Sequence, residues 1–492
     1  MITRNWPDSF DFQGFNEPIG EEWAARELEV EGTIPDEIDG VFFRAGADPQ
    51  FEPFVEEDTY LSGDGVVSRF NIKGNKVDFA IRYIETERYL AEREAGKALF
   101  GAYRNPYTDD PGVAEVDRTV ANTTPVWHAG KLLLCKEDGR PYRIDPETLD
   151  TLGSYDFGGK LKSETVTAHV RIDPRTCEMF AYGYEATGMS TRDVAYWIVD
   201  RDGNLVTEQM FEAPYCSMMH DFVVTENWAV FPVFPTISDL DRVKAGGAHW
   251  VHHQDVPTWL GIMPRYGDVS DMKWVKGPEG LSAFHFMNGF EEVTDDGRTL
   301  IHFDHSVMET NIFPFIRAAS GIDASPADIR AEMVRWTVDL SDLDAGWKEE
   351  PMGPPGDMPR TAAKDQCYPY EYGYYACYDP QVGPPVIHSV VGAGFNTAIR
   401  LNVRTKEVTA LPLGPDRSIN EPIHIPARDP EHEGWLAAVV DTHSTMTSEL
   451  WFIDAGNFAA GPIAKVKLGR RLRPQIHGWW VPRAELVAAG QP

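Results

Sequence analysis

Lys131-Leu132-Leu133-Leu134-Cys135 is a short apolar run, and Tyr142-Arg143-Ile144-Asp145-Pro146-Glu147-Thr148 follows it as an alternating run ending in an Asp-Pro turn. The first reads as a buried strand, the second as an outer strand that reverses direction at Asp145-Pro146. The same punctuation recurs along the chain. Ala195-Tyr196-Trp197-Ile198-Val199 and Leu450-Trp451-Phe452-Ile453 are strand-like, and Asp173-Pro174-Arg175-Thr176, Asp200-Arg201-Asp202-Gly203-Asn204 and Asp295-Asp296-Gly297-Arg298 are turn-like. Short strands separated by such turns make an antiparallel meander, so the expected class is all-β. A four-stranded meander is the unit of a β-propeller blade. Seven blades spread over 492 residues would average about 70 each, long enough for loops on one face to build a lid.

Two segments read as helices. Residues 89–101 form one candidate. Residues 325–334 form the other, opening with Ser325 as a cap and Pro326 at the first position. No Pro- or Gly-rich linker divides the chain, so one domain over 1–492 is expected.

The net charge of -32 disfavours nucleic acid and anionic membranes as partners. Five cysteines without a C-x-x-C pair argue against a disulfide framework. The N-terminus shows no apolar signal segment, and no apolar run approaches membrane-spanning length. A reducing cytoplasm is the expected compartment, without membrane insertion.

Four of the 14 histidines sit in similar contexts, each at the edge of an apolar run: His169, His220, His285 and His477. Their spacings are 51, 65 and 192 residues. The last is about three times the second, the arithmetic of one histidine per blade with two blades skipped. Asp357 and Glu421 fall in the skipped interval at comparable steps. Histidines at the start of innermost strands would converge on the propeller axis. Four neutral imidazoles without thiolate suit Fe, Cu, Zn or Ni, and carboxylates behind them would orient the rings. The alternative is four separate, hydrogen-bonded core histidines. His249, His252 and His253 form a competing cluster with metal-like local spacing, or else an exposed polar loop.

Ordered motifs then add a resemblance. Gly32-Thr33-Ile34-Pro35 through Arg44-Ala45-Gly46, Leu61-Ser62-Gly63-Asp64-Gly65, Met219-His220-Asp221-Phe222, Phe284-His285-Phe286-Met287-Asn288-Gly289, Asn420-Glu421-Pro422, Ser448-Glu449-Leu450 and His477-Gly478-Trp479 match in order. Together they resemble the carotenoid cleavage oxygenase superfamily. That resemblance implies a seven-bladed propeller with a loop and helix lid over an axial metal site. It also implies one Fe(II) per chain on His169, His220, His285 and His477, dioxygen as co-substrate, oxidative cleavage of a carbon–carbon double bond, and a homodimer.

Within the superfamily the chain is most similar to the bacterial lignostilbene dioxygenases, which cleave hydroxystilbenes into two aromatic aldehydes. Tyr103 and Lys136 stand where that branch binds the substrate's 4-hydroxyl. A cation near the phenol favours the phenolate, which pushes electrons into the alkene. Glu137 and Glu421 match two outer glutamates. Asp357-Met358-Pro359-Arg360 stands where the family carries Glu-Phe-Pro-Arg, so its acid is one methylene shorter. Thr123 matches a threonine near the open iron position. Leu61 replaces an aromatic residue that packs on the substrate ring, implying a differently shaped pocket. Carotenoid or apocarotenoid cleavage is the competing activity, although Glu92, Arg93, Glu94 and Lys97 make the 89–101 segment too charged for membrane docking. A non-catalytic propeller scaffold is the non-enzyme alternative; it would not need four axial histidines.

Overall fold

The protein is described from a computed structural model covering residues 5–323 and 330–490. Nearly all its regular structure is strand, paired antiparallel apart from a short parallel pairing of Val251–His252 with Arg317–Ala318. Two compact units are distinguished: residues 1–156, 376–400 and 409–492 form one, and residues 157–375 and 401–408 the other.

In the first unit, a five-stranded sheet runs in the order Trp23–Ala25, Lys76–Tyr83, Gly65–Lys73, Gly40–Ala47 and Gln475–Pro482. Strands from opposite ends of the chain are therefore neighbours, with Phe43 opposite Trp479 and Arg44 opposite Gly478. The register then slips, and the next pair is Gly46 with Gln475. This irregularity falls at His477, where a bulge re-aims the side chain relative to a regular ladder. The opening run of the sequence forms a meander of Thr124–His128, Lys131–Cys135, Tyr142–Ile144 and Thr151–Ser154. A third sheet is built on Trp435–Thr442 and Thr447–Asp454. Phe42, Phe70, Phe79, Leu450, Phe452 and Val466 pack into one apolar core between the first and third of these sheets.

The second unit repeats one plan. Its four-stranded sheets begin at Arg171–Ile172, Val223–Val224 and Phe286–Val293. His169, His220 and His285 lie just ahead of these three starting strands, so the 51- and 65-residue spacings are distances from one sheet to the next. Inner strands such as Met179–Tyr184 are buried on both faces, while the outer strand Leu205–Glu212 has no buried residue and mixes exposed with half-buried ones. An element covered on both sides loses its polar alternation, and an edge strand keeps it.

The helical expectations need correction. The first helix spans only Glu87–Ala95, because Gly96 adopts a left-handed φ of 68° and ends it. Thr86 caps its start by accepting from Tyr89 N. The Glu92 carboxylate then takes the amides of Leu99 and Phe100 and turns the chain away. Of the second expected helix, residues 325–329 lie outside the described residues, and 331–334 open the strand Ala331–Asp339. Buried Trp336 and Val338 alternate there with partly exposed neighbours, a period of two that outweighs the local cap signal. No helix among the described residues is long and apolar enough to cross a membrane.

Two glycines allow close approaches beside the histidine-bearing segments. A Cβ on Gly183 would stand 2.2 Å from the carbonyl oxygen of Thr165, and one on Gly289 would stand 2.0 Å from Val223 Cγ1. Gly289→Ala should therefore overpack the contact between two starting strands and lower stability by about 1–3 kcal/mol. Thermal or denaturant unfolding checks this.

Candidate metal centre and phenol site

In the second unit, three imidazoles converge. His169 Nε2 lies 3.1 Å from His220 Nε2, and His220 Nε2 lies 3.0 Å from His285 Nε2. The three ring centroids are 4.7–4.8 Å apart. His285 Nδ1 lies 2.7 Å from Asp357 Oδ1. Burial pushes the Asp357 carboxyl up, but the His285 and His220 imidazoles outweigh it and hold the group below the usual carboxylate range. An ionised Asp357 accepts the Nδ1 proton of His285, which leaves His285 Nε2 as a lone pair. His220 Nε2 faces this lone pair on one side and His169 Nε2 on the other and carries at most one proton, so it cannot hydrogen-bond both.

A cation resolves the conflict, and the spacing tests which geometry it would take. With metal–nitrogen bonds of about 2.1 Å, tetrahedral ligands sit roughly 3.4 Å apart and octahedral neighbours roughly 3.0 Å apart. The observed 3.0–3.1 Å matches the octahedral edge. Nitrogen donors without thiolate suit a divalent first-row metal such as iron.

In the first unit, His477 is buried on the strand Gln475–Pro482. Its Nδ1 lies 3.0 Å from Glu421 Oε1, and Glu421 Oε2 accepts from Gly478 N at 2.8 Å. Glu421 is thereby fixed at both oxygens by residues of that strand. The carboxylate sets the His477 tautomer in the same way that Asp357 sets that of His285.

The same unit carries the candidate phenol site. Lys136 follows the strand Lys131–Cys135 and is buried. Its Nζ donates to the carbonyl oxygen of Leu61 at 2.7 Å, stands 3.5 Å from Asp138 Oδ2, and lies 5.3 Å from the Tyr103 ring centroid. Burial depresses the Lys136 pKa below the ordinary 10.5, and the Asp138 carboxylate opposes that shift. Burial, reinforced by the Glu137 charge, pushes the Tyr103 phenol up, so it remains a donor at neutral pH. Asn122 Nδ2 donates to the carbonyls of Leu61 and Gly63, both at 2.9 Å. Thr123 is buried beside it, with Oγ1 donating to Asn122 Oδ1 at 3.1 Å. Glu137 is buried next to Lys136 in sequence.

Sequence reasoning missed Asp138 and Asn122. Asp138 follows Lys136 and Glu137 directly but carries no pattern of its own. Its carboxylate is anchored by Thr119 Oγ1 at 2.8 Å, which no pattern announces. The competing cluster dissolves. His249 pairs with Glu185 at 3.0 Å, and His252 contacts Thr236 Oγ1 at 3.1 Å and the Gly280 carbonyl at 3.0 Å. Both are buried, which corrects the exposed-loop alternative. Neither belongs to a metal-capable group among the described residues.

Residues 16–482 match the family described as Retinal pigment epithelial membrane protein. The chain belongs to this family. It is 39% identical over 492 residues to a lignostilbene-alpha,beta-dioxygenase (isozyme III) of Sphingomonas paucimobilis, with 99% of each chain covered. An isoeugenol monooxygenase of Pseudomonas putida is 38% identical over 462 residues, covering 92% of this chain and 94% of the relative. The crystal structure of a Pseudomonas brassicacearum lignostilbene dioxygenase superposes with a TM-score of 0.93 at 36% identity, covering 98% of this chain and all of that one. The chain is an oxygenase of the lignostilbene dioxygenase type.

His220 makes both close nitrogen contacts of the cluster. His220→Ala should therefore strip metal from the purified protein by at least the ~10–100-fold typical of losing an outer partner. Elemental analysis checks this, and a metal content equal to wild type would remove His220 from the ligand set.

Proposed function

We propose that the protein is a non-haem iron(II) dioxygenase that cleaves the central double bond of 4-hydroxystilbenes. One dioxygen is consumed, and its two oxygen atoms end in the carbonyls of two aromatic aldehydes. One Fe(II) per chain would be held by His169, His220, His285 and His477, a group whose four side chains offer one ligand atom each. Glu137, Asp357 and Glu421 would orient the rings, Thr123 would stand at the open position, and Leu61 would shape the pocket. The frame proposed for this site is a single seven-bladed β-propeller over residues 1–492, with loops and a helix as its lid. Family membership and the sheet-by-sheet recurrence of histidines in the second unit support that frame.

The observation that carries the substrate class is the buried lysine beside a protonated tyrosine. An ammonium has three donors. Leu61 O takes one, and Asp138 lies in the direction of a second. The third is available to a phenol oxygen. Lys136 would stabilise the phenolate form, and Tyr103 would donate to the same oxygen. Electron density released by the phenolate reaches the α,β double bond through the ring, which raises its reactivity toward an electrophile. Bound iron supplies the activation of dioxygen. A carotenoid has no phenol to use this pair. A propenylphenol such as isoeugenol has one, so phenolic alkenes form the wider substrate class.

Oxygen uptake with 4-hydroxystilbenes, isoeugenol and apocarotenals tests the assignment. Uptake with apocarotenals alone would overturn it. Lys136→Met should retain iron and lose at least ~100-fold in kcat/KM, a few kcal/mol of transition-state stabilisation.

The pH profile gives a second check. The Lys136 pKa is lowered, so the lysine loses its proton at a lower pH than an ordinary lysine. Activity that needs the cation therefore falls as pH rises through that lowered value, earlier than an unperturbed lysine would allow. Asp138 favours the charged form, so Asp138→Asn should move the alkaline limb to still lower pH. An unmoved limb would mean that Lys136 does not act as a cation.

A further inference from the structure

One buried ion pair touches all three histidine-bearing segments of the second unit. Arg171 lies two residues after His169, Asp221 directly follows His220, and Phe286 directly follows His285. Arg171 Nη2 reaches both oxygens of Asp221 at 2.7 Å, and both side chains are buried. Asp221 Oδ1 accepts from Phe222 N at 2.7 Å, and Oδ2 accepts from Phe286 N at 2.8 Å. Arg171 Nε donates to the Phe222 carbonyl at 2.9 Å, and Nη2 to the Phe286 carbonyl at 3.1 Å.

Val223–Val224 and Phe286–Val293 belong to different sheets, and Arg171–Ile172 to a third. No backbone ladder ties the three starting strands to one another. The ion pair does so within two residues of each ligand candidate. It fixes the amide and the carbonyl of Phe222 and of Phe286 on rigid, fork-shaped donors and acceptors.

We propose that Arg171 and Asp221 are positioning residues for the metal centre, setting the 3.0–3.1 Å separations of the His220 nitrogen from those of His169 and His285. This rests on the metal reading above, but it assigns the geometry of the ligand cage to a pair that touches neither metal nor substrate. A buried ion pair is weak evidence of stabilisation in itself, because an apolar pair of similar size often replaces it without loss of stability. Its contribution here is register: each member contacts backbone on two of the three segments.

The test uses cobalt(II) as the probe on metal-depleted full-length protein. Dissociation constants and visible ligand-field bands are measured for wild type, for Asp221→Asn and for the double variant Arg171→Met/Asp221→Leu. Near-ultraviolet circular dichroism and thermal unfolding report the fold. The double variant removes both charges and so avoids an unpaired buried ion; it decides the matter if Asp221→Asn does not fold. The expected result is folded protein that binds cobalt ~10–100-fold more weakly, with bands shifted from the weak six-coordinate pattern of wild type. Wild-type affinity and bands in a folded variant would overturn the positioning role while leaving the histidine assignment intact. A wild-type protein that takes up no cobalt would instead overturn the metal reading itself.

Discussion

Unprotonated imidazole nitrogens repel one another at 3 Å, so three of them converge only where the surrounding backbone holds them. Here each comes from just ahead of the first strand of a different sheet, where a side chain is fixed by the ladder that follows it. The strands supply rigidity, but they do not supply agreement between sheets. That agreement comes from side chains reaching across: Asp357 onto His285, and Arg171 with Asp221 onto the segments after His220 and His285. Close approaches at Gly183 and Gly289 let the segments lie near enough for this to work.

The strand class and the sheet plan were legible because turn chemistry and apolar runs are local signals. The recurrence of histidines was legible as well, since spacing along the chain maps onto spacing between sheets when each sheet has a similar length. The ends of elements were less so. Gly96 in its left-handed conformation stops a helix that composition alone would extend, and residues 331–334 join a strand because Trp336 and Val338 need burial on one face. Least visible were partnerships fixed by tertiary geometry. Nothing about Leu61 announces that its backbone oxygen receives the Lys136 ammonium, and nothing about Thr119 announces that it anchors Asp138. Asp221 stands in plain view next to His220, yet its contact with Phe286 N spans 65 residues and has no local signature.

In the proposed phenol site, the side chain that departs from the family pattern is not the group that holds the lysine. The Leu61 side chain would shape the surface presented to a ring, while its carbonyl, which any residue would supply, accepts from the lysine. Asn122 grips the same carbonyl and the one at Gly63, so the loop is fixed independently of the side chain at 61. Shape and charge are thus carried by different atoms of one residue. A lysine placed by a backbone oxygen, close to one carboxylate and packed near a tyrosine ring has a defined direction, unlike a solvated one.

The pairing of Gly40–Ala47 with Gln475–Pro482 bears on the order of assembly. His477 rides on a strand whose partner leaves the ribosome long before it does. The loop between the two must close before this sheet is complete, a contact of very high sequence separation and correspondingly slow to form. Until then Gly40–Ala47 has Gly65–Lys73 on one side and an open edge on the other, the kind of edge that recruits foreign strands. A chain broken off before residue 475 would lack both the strand that covers that edge and His477, so an incomplete product would be unable to finish its own sheet.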